Sequence, residues 1–190
     1  MTKTSMGQLF ENHNQSGFTL IELIVVIFIL GIISSIIIAN FRNGEKSKRV
    51  TIGADTIVDA LRTAQEDALT GKNTSNSNAN CKIPLYYFID FSYSNSFTLS
   101  AYNNCDVVEQ IQTYTLPTNT TIKSGSIKLN GLALPGHLKI LFTLPFATSV
   151  ANSVLGSFKF TSVSLVVQAT DGSFTKTVTI DGISNRVSEQ

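Results

Sequence analysis

Gly17-Phe18-Thr19-Leu20-Ile21-Glu22-Leu23-Ile24-Val25-Val26-Ile27 opens an apolar run that continues to Ala39, with Glu22 as its only charge. Phe18 to Ala39 would extend about 33 Å as an α-helix, close to the roughly 30 Å hydrocarbon core of a bilayer. One spanning helix is the natural reading. A carboxylate inside such a helix costs roughly 2.5–3.5 kcal/mol on insertion scales, so Glu22 calls for a function and a partner. An ordinary secretory signal places its cleavage site after the apolar core. Here Gly17 stands before it, so the apolar segment would survive removal of the polar leader Met1 to Gly17.

Those residues resemble the class III signal peptide of type IV pilins and type II secretion pseudopilins. In that family a prepilin peptidase cuts after the glycine, and the next residue becomes an N-methylated first residue. The resemblance implies cleavage and methylation at Gly17 and Phe18. It also supplies a partner for Glu22: the new α-ammonium of Phe18, in the same chain or in a neighbouring subunit of a filament. Phe18 and Glu22 are four residues apart, which places them on one side if both are helical. A subunit docked at the wrong height would leave a charge unpaired among apolar helices, so the pair would set register.

With 190 residues, a net charge of +1 and 43% hydrophobic content, the chain has room for a membrane segment and one modest domain. No whole-molecule field attracts nucleic acid or an acidic substrate. From Val50 the residues Ala54, Ile57, Leu61, Ala64 and Ala68 recur at helical spacing, an apolar face that needs a sheet to cover it. Asn43-Gly44 predicts a bend or loosened turn within Phe41 to Ser47, and Gly31 and Ser34-Ser35 are softer points in the apolar half. Gly71 is a helix stop, followed by a polar loop from Lys72 to Asn80.

Beyond Cys81 the period becomes two. Strands are expected over Ile83–Phe91, Ser96–Tyr102, Val107–Leu116, Thr120–Leu129, Leu138–Leu144, Ser157–Ala169 and Phe174–Ile180. Tight turns are expected at Asn130-Gly131 and at Thr170-Asp171-Gly172-Ser173. The Asp-Gly pairs at Asp171 and Asp181 read as turn geometry rather than calcium ligands. The expected class is α+β and pilin-like: a long N-terminal helix, its first half transmembrane, packed on one antiparallel sheet of six or seven strands. The divisions are a leader at 1–17, a transmembrane and assembly helix at 18–40, its amphipathic continuation at 41–70 and a β-rich head at 71–190. Residues 18 to 70 as one helix would reach about 80 Å, which suits bundling with other copies.

Leu61, Ala64 and Ala68 match the helix end of GspH/FimT-like minor subunits, with Gln65 and Asp67 replacing that pattern's Arg and Glu. Ile180 to Val187 resembles the group's closing strand, with Asn185 at a glycine position. Some FimT-like proteins bind DNA through a C-terminal Gly-Arg-x-Arg element. Arg186 is the one residue that could make such a contact here, and nucleic acid is not an expected partner of the leading reading. Cys81 and Cys105 would close a loop worth about 3 kcal/mol if bonded, and two buried free thiols are the alternative.

Orientation divides the indications. Lys3 against Glu11 before the apolar run, and Arg42, Lys46, Lys48 and Arg49 after it, would put the C-terminal part in the cytoplasm by the positive-inside rule. The resemblance puts it outside, anchored in the cytoplasmic membrane until assembly. The basic cluster from Arg42 to Arg49 reads as a membrane-surface or subunit-contact patch, or as a solvated helix face. No phosphate loop, nucleophile elbow or HExxH helix occurs, His13 lies in the leader, and His137 stands alone as a strand-edge or turn residue. The chain is read as a structural subunit, not an enzyme, with no cofactor and no metal. The resemblance implies as partners other pilin or pseudopilin subunits, a prepilin peptidase/methyltransferase, an inner-membrane assembly platform and membrane lipid. A filament-tip subunit binding DNA or a ligand through Phe91–Asn104 or the last strand is the rival, and a major shaft subunit is a third reading.

Overall fold

The structure, a computed structural model, describes residues 17–74, 78–134, 136–144, 148–153, 156–158, 160–182, 184 and 186–190. The chain divides into two compact units, 1–42 and 43–190. Helix α1, Leu20–Thr70, begins in the first and ends in the second.

In the first unit α1 is apolar on every side and exposed from Leu20 to Ile38. Ser35 keeps its hydroxyl satisfied by donating to the Gly31 carbonyl at 2.9 Å, the bond available to serine where water is absent. Residues 41 to 47 are α-helical, so the loosened turn expected at Asn43-Gly44 is not formed. Two glycine- and asparagine-type penalties, together about 1–2 kcal/mol, meet an anchored turn just beyond them. Glu45 pairs with Arg49 at 2.5 Å, and Lys46 with Asp171 at 2.6 Å. Arg49 also donates to Thr118 Oγ1 at 2.6 Å and to the Thr118 carbonyl at 3.2 Å.

Within the second unit, α1 buries Val50, Ala54, Ile57, Val58, Ala60, Leu61, Ala64 and Ala68. These include all five positions picked out by the helical spacing. A Cβ on Gly53 would lie 3.1 Å from Val167 Cγ1, so helix and strand approach closely there. The helix ends in a Schellman arrangement: Gly71 has φ 62°, and the Lys72 N–H donates to the Asp67 carbonyl at 3.2 Å.

The strands are β1 Pro84–Phe91, β2 Ser96–Asn103, β3 Val108–Thr115, β4 Thr120–Ile122, β5 Lys128–Leu129, β6 Leu132–Ala133, β7 Leu138–Thr143, β8 Thr148–Ser153, β9 Gly156–Phe158, β10 Ser162–Ala169, β11 Thr175–Asp181 and β12 Arg186–Glu189. They form two antiparallel sheets rather than the single sheet expected. One has the order β3-β2-β1-β7-β8-β9; the other runs β12-β11-β10-β5-β6, with β4 also pairing β10. Strand β8 falls outside every expected segment. The expected strand Ser157–Ala169 is split, β9 belonging to the first sheet and β10 to the second. Thr120–Leu129 is likewise broken into β4 and β5.

One core joins the elements of this unit. Tyr87, Ile89 and Phe91 of β1, Leu138, Ile140 and Phe142 of β7, and Val163, Leu165 and Val167 of β10 are buried in the same cluster as the α1 face. Both expected turns form. Asn130 (φ 51°) and Gly131 (φ 83°) make the two-residue connection between β5 and β6, with Leu129 opposite Leu132. Asn130 Oδ1 accepts from the Thr161 N–H at 2.8 Å, tying this hairpin to the entry of β10. At the other turn Gly172 has φ 73°, and Asp171 Oδ1 accepts from the Ser173 N–H at 3.0 Å. Lys46 and then Ser173 hold the Asp171 carboxyl well below the usual carboxylate range.

Gly182 follows β11 where the chain meets Phe160. A Cβ there would fall 2.1 Å from the Phe160 carbonyl oxygen, too close for any neighbour to yield cheaply. We expect Gly182→Ala to lower unfolding free energy by at least about 2 kcal/mol in denaturant titrations of the full chain in detergent. Burial, then Asp67, then Glu109, pushes the Tyr87 hydroxyl up to about 12, and this hydroxyl donates to the Lys72 carbonyl oxygen. Its folded value lies above the ordinary 10.0, so the stability it contributes is intact below pH 10 and lost as pH rises towards 12. Tyr87→Phe should therefore lose stability at neutral pH yet show a shallower decline between pH 10 and 12, read by melting temperature against pH.

Candidate processing and assembly site

Gly17, Phe18 and Thr19 precede the helix, and α1 begins at Leu20. Thr19 is the residue that starts it. Its carbonyl accepts the Leu23 N–H at 3.2 Å, and its Oγ1 accepts the Glu22 N–H at 3.3 Å. Those are the roles of an N-cap, which satisfies a helix-end donor that has no partner inside the helix. The Thr-x-x-Glu spacing is that of a capping box, so Thr19 was open to detection from sequence and was missed by a reading centred on Glu22. Glu22 also lies in the first turn, where an acid suits the positive end of the helix dipole.

Phe18 is 83% exposed and lies outside the helix. An interval of four therefore does not by itself align it with Glu22 in this form of the chain. With Gly17 attached, the Phe18 nitrogen is an uncharged amide and cannot be the ammonium that meets the carboxylate. Cleavage would create that cation. Among the described residues, no atom comes within 4 Å of where a Cβ on Gly17 would stand. The bond between Gly17 and Phe18 thus sits in non-helical backbone ahead of a capped helix.

Downstream, the most apolar stretch of α1 reaches a mean hydropathy of 3.0 over eighteen residues, none of it buried. Large side chains such as Leu20, Phe28, Ile37 and Phe41 are turned to the surroundings with no polar stripe between them. A helix apolar all round requires lipid or other helices as its solvent.

The other candidate residues lie in the second unit. Cys81 and Cys105 form a disulfide with Cα atoms 5.3 Å apart. Hydrogen bonds from the Asn104 N–H to the Ile83 carbonyl at 3.0 Å and from Asn104 Nδ2 to the Asn80 carbonyl at 2.7 Å stitch the same two segments together. Arg186 opens β12 and is exposed, opposite Asp181 on β11. His13 and Asn185 lie outside the described residues.

His137 is not alone. Its Nδ1 lies 3.6 Å from Asp90 Oδ1, with Lys139 Nζ 3.5 Å from Asp90 Oδ2. Pairing of β1 with β7 sets Asp90 opposite Lys139, a juxtaposition invisible in chain order. In the basic cluster Lys46 and Arg49 are committed to Asp171, Glu45 and Thr118. Only Arg42 and Lys48, among the described residues of that cluster, keep exposed cations without an ion pair.

Residues 12–38 match the family model described as the prokaryotic N-terminal methylation motif. The match ends at residue 38, so it speaks for the N-terminal segment and not for the β-rich part. No curated protein and no solved structure matches the chain. With the methylation motif borne on the exposed apolar part of a long helix, and antiparallel β-sheets following it in sequence, the chain carries that motif on an α+β, pilin-like architecture.

Proposed function

We propose that the chain is a minor subunit of a type IV pilus or type II secretion pseudopilus, cleaved after Gly17, methylated on Phe18 and assembled through α1. The observation that carries this reading is a single carboxylate, Glu22, in the first turn of a helix otherwise apolar and exposed as far as Ile38. The role is structural. Other subunits of the filament and the processing peptidase are its partners, and lipid surrounds the helix before assembly. Inside a bundle of sister helices, Glu22 meets a Phe18 ammonium in surroundings of low dielectric, where the attraction is strong and mispairing is costly.

The disulfide supports a head outside the cytoplasm, because such bonds persist in oxidising compartments and are rare where thiols are kept reduced. It outweighs the positive-inside count, two of whose cations are held by the second unit's own carboxylates. A tip subunit that binds DNA is the alternative. Its support is the exposed Arg186, but Glu189 follows on the same strand, and one guanidinium offers few phosphate contacts.

In cells containing the filament machinery, mass spectrometry should find mature chains beginning at N-methylated Phe18. Glu22→Gln should leave cleavage intact and reduce incorporation into sheared filaments at least about tenfold, as expected when an unpaired charge replaces a buried pair. Retention of the first seventeen residues, or normal incorporation of the Glu22→Gln variant, would overturn the proposal. On intact spheroplasts, a membrane-impermeant maleimide should label Cys105 only after treatment with an impermeant reductant. Labelling only after membrane lysis would place the head inside.

A further inference from the structure

The interruption between β4 and β5 makes a cavity that the assembly role does not use. Strand β10 runs past this interruption, and at Val166 its backbone is served by two residues of the loop. The Lys123 N–H donates to the Val166 carbonyl at 2.8 Å, and the Ser126 hydroxyl accepts the Val166 N–H at 3.1 Å. The same hydroxyl donates to the Lys123 carbonyl at 2.6 Å, closing the turn, and Gly125 adopts φ 71° within it. The loop therefore stands off the sheet edge. Between it and the sheet lies an open cavity of about 330 Å³, at the lower end of the range for small-molecule sites.

Its lining is chemically one-sided. Lys123 and Lys128 flank it, Val166 contributes the apolar part of the floor, and Ser124, Ser164 and Thr177 supply hydroxyls. No carboxylate lines it. Among the described residues, neither lysine has an ion-pair partner, although Lys46, Lys72, Lys139 and Lys176 each do. Burial alternates along β10, with Val163, Leu165 and Val167 inward, so Ser164 and Val166 face away from the core into this cavity. Lys128 is opposite Ser164 in the β5–β10 register, which sets its side chain beside that hydroxyl row.

We infer that this cavity binds a phosphomonoester, with Lys123 and Lys128 on the phosphoryl group and the Ser and Thr hydroxyls on its oxygens or on an attached polyol. Two ammonium groups match the charge of about −1.5 to −2 carried by a phosphomonoester near neutral pH. Lysine binds phosphate as a point charge and needs no bidentate geometry, which suits two flexible side chains at the mouth of an open site. The inference is independent of the assembly proposal, since it uses no residue of the N-terminal segment.

The test is titration of the full chain in a neutral detergent with inorganic phosphate, glucose 6-phosphate, glucose and a single-stranded oligonucleotide, followed by calorimetry and amide shifts. Glucose 6-phosphate should bind saturably, weaken as salt rises and perturb residues 123–128 and 164–166, while glucose does not bind. Lys123→Gln and Lys128→Gln should each weaken binding about fivefold, and the double variant should abolish it without changing the melting temperature. Inorganic phosphate binding with the same lysine dependence would also support the inference and identify the phosphoryl group as the recognised part. No saturable binding, or binding indifferent to both lysines, would overturn it. So would an oligonucleotide bound more than about tenfold tighter through the same lysines, which would make the site one for a phosphodiester polymer.

Discussion

Small side chains along one face of α1 are the constraint on which the second unit depends. Ala54, Ala60, Ala64 and Ala68 are fully buried, and Gly53 approaches Val167 of β10 so closely that even a methyl group would be tight. Large residues at those positions would hold helix and strands apart, and the buried side chains of β1, β7 and β10 would lose contacts worth roughly 1.5–3 kcal/mol each. Ile57 and Leu61 then project from the same face into the cluster that both sheets share. The ends of this buried segment are pinned differently: Lys46 by its ion pair with Asp171 and Arg49 by hydrogen bonds to Thr118 hold one, and the Schellman turn at Gly71 closes the other.

The N-terminal part of the same helix obeys the opposite rule. It has no internal core and no polar face, so its stability as an exposed object must come from lipid or from other helices. Thr19 sets where that segment starts to wind. It caps the helix two residues beyond Gly17, and the Gly17–Phe18 bond lies in non-helical backbone. The Glu22 backbone N–H is capped by Thr19. The proposed cleavage would create a cation four residues ahead of the Glu22 carboxylate.

Interruptions of regular pairing matter as much as the pairing. The Lys123–Ile127 loop breaks what would have been a continuous strand beside β10, and Ser126, itself almost buried, substitutes for the missing ladder partner. Without that hydroxyl the Val166 N–H would lack a partner on this side, while the Lys123 N–H serves its carbonyl. The loop that results brings lysines and hydroxyls to a cavity with no carboxylate among its described lining residues.

Chain order alone determined the elements whose cause is local: the apolar run and its single acid, the α1 face at spacings of three and four, the stop at Gly71, the Asn130-Gly131 and Asp171-Gly172 turns, and the centres of β1, β2, β3, β7 and β11. Each depends on side chains within a few residues of one another. Thr19 was legible on the same terms through its spacing to Glu22. Tertiary structure decided the rest, because it depends on residues far apart in sequence meeting across strands. Alternation says that a strand has a buried side but not which sheet it joins, so the division into two sheets and the split of β9 from β10 were not readable. Asp90 meets His137 and Lys139 only through β1–β7 pairing, Lys46 meets Asp171 across most of the chain, and Lys123 and Lys128 share a cavity only because their loop hydrogen-bonds alongside β10.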